Sequence, residues 1–158
     1  MEFHNMNPVK HIPADGIMAY KINSITGTLI PVAGSPFETY PSPITINPAG
    51  TFVYKTLGDN SVSGYRINTF TGALTEVAGS PFAAGSGPVS VAISPAGTFV
   101  YVVNINDRNI SGYHINNATG ELIPIVGSPF YVLGQPQDIT VNSAGTFVYT
   151  VNHWCPYF

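Results

Sequence analysis

The sequence predicts an all-β chain built from a four-stranded antiparallel unit that is written three times within 158 residues. Three recurring phrases carry that expectation. Ala-Gly-Thr-Phe-Val-Tyr occurs at Ala49–Tyr54, Ala96–Tyr101 and Ala144–Tyr149. Gly-Ser-Pro-Phe occurs at Gly34–Phe37, Gly79–Phe82 and Gly127–Phe130. Tyr-basic-Ile-Asn occurs at Tyr20–Asn23, Tyr65–Asn68 and Tyr113–Asn116, and the copies of each phrase lie 45 to 48 residues apart.

The middle copy gives the strands in order. Val89–Ile93 alternates and ends in Ser94-Pro-Ala-Gly97, a turn whose glycine can take positive φ, which makes it strand A. Thr98–Val103 is β-branched and aromatic throughout, the composition of a strand B buried on both faces. Asn104–Asn109 is polar and reads as a loop. Ile110–Ile115 is strand C, closed by the hairpin signal Asn117-Ala-Thr-Gly120. Glu121–Val126 is strand D, and Pro124, which cannot donate to a ladder, places it outermost. Gly127–Phe130 stops the sheet.

One such meander cannot bury two apolar faces alone, so neighbouring units must stack face to face. A repeat of this length, made of short strands and glycine turns, predicts β-propeller blades. A stacked β-solenoid is the alternative, but its coils run parallel and lack these hairpin turns.

The ends of the chain fall out of phase with the unit. After an N-terminal arm at 1–15 comes a C–D pair at 16–37, from strands Gly16–Ile22 and Thr28–Val32. Complete units follow at 41–82 and 88–130. An A–B pair at 136–152 comes next, from Asp138–Val141 and Thr146–Val151, and 153–158 is an off-pattern tail. The inventory is twelve strands, or three blade equivalents with one blade split across the termini. Propeller rings typically need four to eight blades. The expected partner is therefore a second copy, two chains making a six-bladed ring, or else the chain is a piece of a longer propeller.

Composition narrows the functional classes. Only five residues are basic and the net charge is −3, so there is no electrostatic footprint for nucleic acid. No apolar run approaches the roughly 20 residues of a membrane span. Residues 1–16 lack the continuous apolar stretch of a signal peptide, although an extracellular or cell-surface location is favoured over the cytoplasm. Cys155 is single, which excludes an intrachain disulfide framework. His4, His11, His114 and His153 show no metal-ligand spacing, and no cofactor motif is present, so neither metal nor cofactor is expected. His114 takes the slot of Lys21 and Arg66 in the other copies, a solvent-facing position on strand C.

The run Gly87-Pro88, Ser94-Pro-Ala-Gly97, Phe99–Asn104, Ile110–Tyr113 and Thr119-Gly120 resembles the lactonase-like propellers. That group includes 6-phosphogluconolactonases and surface-layer proteins with Tyr-Val-Thr-Asn repeats. Tyr101–Asn104 and Tyr149–Asn152 are close variants of that phrase. The resemblance covers roughly residues 16 to 152 and implies usually seven-bladed rings well over twice this length. It also implies polar residues such as Arg and His after the proline that opens strand A, and often a Glu after the Asn that ends strand B. Here the post-proline pairs are Ser42-Pro43, Val89-Ser90 and Gln137-Asp138, while Ile105 and His153 follow the Asn.

The densest polar groups fall in the B–C loops, which with the D–A loops should rim one mouth of a central channel. The candidate ligand-binding residues are Asp59, Asn60, Asn104, Asn106, Asp107, Arg108, Asp138 and His153. Converging carboxylates, amides and a guanidinium can bind a sugar, a small anion or a peptide; the same residue types also simply build turns. No catalytic residue is assigned. The expected function is a non-catalytic scaffold for protein or small-ligand binding. The alternative implied by the resemblance is hydrolysis of a sugar lactone such as 6-phosphogluconolactone.

Overall fold

The structure is a computed structural model, and it describes residues 16–37 and 40–153. The expected arm at 1–15 and tail residues 154–158, with His4, His11 and Cys155, lie outside the described residues. Fourteen strands and no helix are present among the described residues, in four antiparallel sheets. Blade I is a hairpin of β1 (Tyr20–Ile22) and β2 (Leu29–Pro31). Blade II holds β3 (Ile44–Ile46), β4 (Phe52–Leu57), β5 (Ser61–Ile67), β6 (Leu74–Glu76) and β7 (Phe82–Ala83). Blade III repeats it with β8 (Pro88–Ile93), β9 (Phe99–Asn104), β10 (Asn109–Ile115), β11 (Leu122–Pro124) and β12 (Phe130–Tyr131). Blade IV is a pair, β13 (Gln135–Val141) with β14 (Val148–His153).

The repeated phrases are the hydrogen-bonding joints of this fold. In the A–B turn the side chain of Asn47 accepts from the amides of Thr51 and Phe52 at 2.9 and 2.8 Å, and Asn142 does the same for Thr146 and Phe147. Ser94 takes that role in blade III. In the C–D turn Asn23, Asn68 and Asn116 each accept two amides from the residues that follow. The serine of Gly-Ser-Pro-Phe accepts an amide of the strand C segment: Ser35 from Ala19, just before β1, and Ser80 from Gly64 and Ser128 from Gly112 in mid-strand, at 2.8 to 3.1 Å.

The architecture is the expected one, with a few boundaries moved. β7 and β12 are additions to the twelve expected strands. They pair the lower half of strand C, Val62 with Phe82 and Ile110 with Phe130, where strand D has already ended. Strand C of blade I is confined to Tyr20–Ile22, although Ile17 and Ala19 still bond toward the segment after strand D. Asn104 and Asn109 pair as the last rungs of β9 and β10, so the loop between them is 105–108 alone. Among the described residues β11 pairs only β10, which leaves Pro124 on the outer edge as expected.

Stacking is regular because strand B alternates its side chains between neighbours. Phe52, Tyr54 and Val62 of blade II pack with Val91, Val100, Val102, Tyr113 and Ile115 of blade III in the largest core. Val53 and Tyr65 point the other way, to Ile17 of blade I. Val103 and Ile110 meet Ile139 of blade IV. Lys55, the counterpart of Val102, is fully buried on the blade I side with its ammonium 5.7 Å from the Tyr40 ring centroid. Burial lowers its pKa, because desolvation penalises the charged form.

Candidate functional site

The polar groups gather at the end of the blades where strand B turns into strand C. The B–C turns differ in length, 58–60 in blade II and 105–108 in blade III, yet both end in a left-handed residue, Asn60 at φ 66° and Arg108 at φ 53°. Asparagine adopts that conformation readily. From this shared geometry each turn presents a carbonyl to the following linker: Asn60 O accepts from Ala84 N and Arg108 O from Val132 N.

Four of the eight candidate residues converge on the linker 83–87 between blades II and III. The Asn60 side-chain oxygen accepts Gly87 N at 3.1 Å. Asp107 Oδ2 accepts Ser86 N at 2.8 Å, and Asn106 Nδ2 donates to Ser86 Oγ at 3.4 Å. Asn104 is buried below them, its Nδ2 donating to Asn109 Oδ1 at 2.7 Å and Ser111 Oγ at 2.9 Å. Gly85 lies so close above that a Cβ there would come within 2.7 Å of the Asn104 amide and 2.9 Å of the Asp107 carboxylate. Beside the linker opens a cleft of about 350 Å3 with Ala83, Gly85, Asp107, Ser111, Tyr113 and Pro129 among its walls. Tyr113 Oη donates to Ala83 O at 2.5 Å and closes its floor.

Asp138 belongs to a second feature, on the innermost strands. β8 breaks register between Pro88 and Ser90, and β13 breaks it at the matching place between Pro136 and Asp138. Such bulges re-aim a side chain, and here they bring Ser90 Oγ to Asp138 Oδ1 at 2.7 Å. That bond, with the amide of Ile139 at 2.9 Å, holds the Asp138 carboxyl below the usual carboxylate range. Asp59 accepts from the Ser61 hydroxyl within its own turn. His153 is the exposed last residue of β14, paired with Gln135, rather than a residue beyond the strand. Neither Asp59 nor His153 is drawn into the cluster around the linker.

The sequence reading gave no site role to Ser86, Ser90 or Ser111, the hydroxyl partners of these amides and carboxylates, although Ser90 stands in a post-proline pair. Ser86 lies in Gly85-Ser-Gly87, a dipeptide-flanked serine that marks a turn; Ser90 and Ser111 look like ordinary strand residues. No group of three metal-ligating side chains occurs among the described residues.

The Ser90–Asp138 bond makes a pH prediction. Asp138 has a lower pKa folded than unfolded, so its contribution is present above the unfolded carboxylate value and is lost as pH falls through the folded one. Ser90→Ala should therefore destabilise the protein near neutrality by only about 0.5 kcal/mol, given solvent screening at this exposed carboxylate. The difference from wild type should shrink toward zero in acid. Urea unfolding midpoints at pH 7 and at pH values below the carboxylate range check this; a difference that grows in acid would contradict the assignment.

No helix among the described residues is long and apolar enough to cross a membrane. No curated protein sequence matches the chain. Among solved structures, a Bacteroides fragilis protein assigned as a 6-phosphogluconolactonase superposes with a TM-score of 0.67 at 19% identity, over 89% of this chain and 37% of that one. A Lactobacillus plantarum protein superposes at 0.65 and 20% identity, over 85% of this chain and 41% of that one. A periplasmic gluconolactonase of Pseudomonas aeruginosa gives 0.63 and 16%, over 87% and 43%. The chain thus spans less than half the length of each, and at these identities the likeness is one of fold. The family described as a lactonase, 7-bladed β-propeller, matches residues 26–132. With that match covering most of the chain, and with blades stacked as described, the chain belongs to the seven-bladed β-propeller lactonase family.

Proposed function

We propose that this chain is a propeller binding module whose B–C mouth takes a small polar ligand or a short peptide without hydrolysing it. The observation that carries this reading is the commitment of the mouth's polar side chains to the linker 83–87. Asn60, Asn106 and Asp107 each hold a linker group, and Asn104 is buried beneath it. Groups so engaged make a rigid, preformed rim beside the 350 Å3 cleft, as binding requires. The low pKa of Asp138 points the same way, because a general base works best when its pKa is near the operating pH.

Hydrolysis of a sugar lactone is the second reading. It is favoured by the family match and by Gln137-Asp138, polar residues at the inner-strand bulge. A lactone-hydrolysis assay on the full chain separates the two. The expected result is opening of gluconolactone and 6-phosphogluconolactone at the spontaneous rate. Turnover at least tenfold above that rate, and abolished by Asp138→Asn or Asp107→Ala, would establish hydrolysis instead.

In either reading the mouth needs a closed ring, which a second copy or a further length of the same chain would supply. An exported location fits this reading, as for the periplasmic neighbour.

A further inference from the structure

The cleft of about 350 Å3 is walled by blades II and III and the linker between them. One side is the linker at Ala83, Ala84 and Gly85, and the other is β10 with Pro124 and Pro129 beyond it. No residue of β8 or β9, the inner strands of blade III, lines it. The cleft therefore opens on the outer half of the interface and not into the channel.

Comparison of the repeats shows how the sequence makes this space. Counted from the phenylalanine of Gly-Ser-Pro-Phe, the places of Ala83, Ala84 and Gly85 are held in the next linker by Tyr131, Val132 and Leu133. The polar groups differ too. In blade II Ser61 donates to Asp59 within one turn, so that pair satisfies itself. Blade III has Asn109 and Asp107 at the same spacing, and no bond joins them. Asn104 Nδ2 takes the Asn109 oxygen at 2.7 Å, and the Asn109 NH2 group donates to nothing among the described residues, although Asn109 is only 3% exposed. Asp107 holds Ser86 N through Oδ2 alone. A carboxylate acceptor and an amide donor thus line one cavity side by side.

That pairing selects a ligand. A hydroxyl both donates and accepts, so two neighbouring hydroxyls can serve a carboxylate and an amide together. No Lys, Arg or His is among the walls, so an anionic group would meet Asp107 without compensation. Pro124, Pro129 and Ala83 give an apolar side for the C–H face of a ring. The volume is at the small end for ligand sites, which suits a single ring. An extended peptide gains little here, because the outer edge of β10 is already paired by β11 and β12 and offers no ladder.

We propose that this outer cleft binds one neutral sugar ring, with Asp107 accepting from one hydroxyl and Asn109 donating to its neighbour. The inference rests on the binding reading above and names the ligand of its cleft. It excludes phosphorylated sugars, which the carboxylate repels.

The test is ligand-observed NMR on the full chain with the methyl glycosides of glucose, galactose, mannose and N-acetylglucosamine at millimolar concentration. At least one should bind, and the 6-phosphate of the same sugar should bind roughly tenfold more weakly or not at all. Asp107→Asn and Asn109→Ser should each weaken binding by about tenfold. Ala83→Tyr installs the next linker's residue at an exposed position and should abolish binding with an unchanged β circular-dichroism spectrum. Acetylated triglycine amide, the peptide control, should not bind. Binding of none of the glycosides, or of the peptide alone, would overturn the inference. So would a 6-phosphate held as tightly as its neutral sugar, or binding indifferent to Ala83→Tyr or to both polar substitutions. The failures are distinct: glycosides that do not bind, with lactones left inert, remove this ligand and keep the binding reading, whereas lactone turnover removes that reading itself.

Discussion

Replacing Gly120 by alanine is expected to destabilise the protein by about 3 kcal/mol or more. Two independent effects add at this position. Gly120 has φ 85°, a conformation that costs an L-residue roughly 1–2 kcal/mol. A Cβ would also come within 2.4 and 2.6 Å of the Phe52 ring and 2.9 Å of Val77, inside the largest core. Overpacking of that kind typically costs a further 1–3 kcal/mol. Gly27 occupies the same place in the C–D turn of blade I, at φ 71°, and a Cβ there meets nothing within 4 Å. Gly27→Ala should therefore cost only the backbone term, about 1–2 kcal/mol. Urea unfolding of both variants separates strain from packing, and equal losses would mean that Phe52 yields and the blade II–III interface is soft.

Tyr54→Ala is expected to cost about 3–5 kcal/mol, the range for deleting a buried aromatic ring. Tyr54 is fully buried, its ring is close enough to Gly64 that a Cβ there would lie 3.1 Å from it, and its hydroxyl reaches Gly120 O across the interface. Burial raises the phenol's pKa, with the Arg66 charge opposing only in part. Tyr54→Phe keeps the ring and leaves the buried carbonyl without its donor, for a loss of about 1 kcal/mol. A loss below about 1 kcal/mol for Tyr54→Ala would place the stabilising core elsewhere than between blades II and III.

The fold was legible because the chain repeats its joints as well as its strands. Asn47, Asn142 and Ser94 identify the A–B turn, and Ser35, Ser80 and Ser128 identify the brace on strand C, from fixed places in recurring phrases. The two short strands β7 and β12 were illegible because two residues after a proline carry no periodicity. Their pairing depends on strand D ending early, a tertiary fact. The burial of Lys55 was illegible for a related reason. A lysine near a polar loop suggests a solvent-facing group, but the alternation of β4 turns it toward blade I, where Val102 stands in the next blade. At the mouth, residue types located the polar cluster but could not reveal what each group holds. Asn104 and Asp107 are three residues apart in sequence, yet one is buried among side chains and the other grips a backbone amide.

The braced outer edge of strand C determines the direction in which these blades can grow. Its upper half is taken by strand D, its lower half by β7 or β12, and the amide at the break by a serine hydroxyl. A sheet finished in this piecewise way offers no continuous ladder on its rim, so a fifth long strand cannot be laid outside it. Extension is confined to the circumference, where each blade meets the next through side chains. Lengthening such a protein therefore means adding whole blades, and a change in blade number alters the bore of the channel while leaving each blade's own pairing untouched.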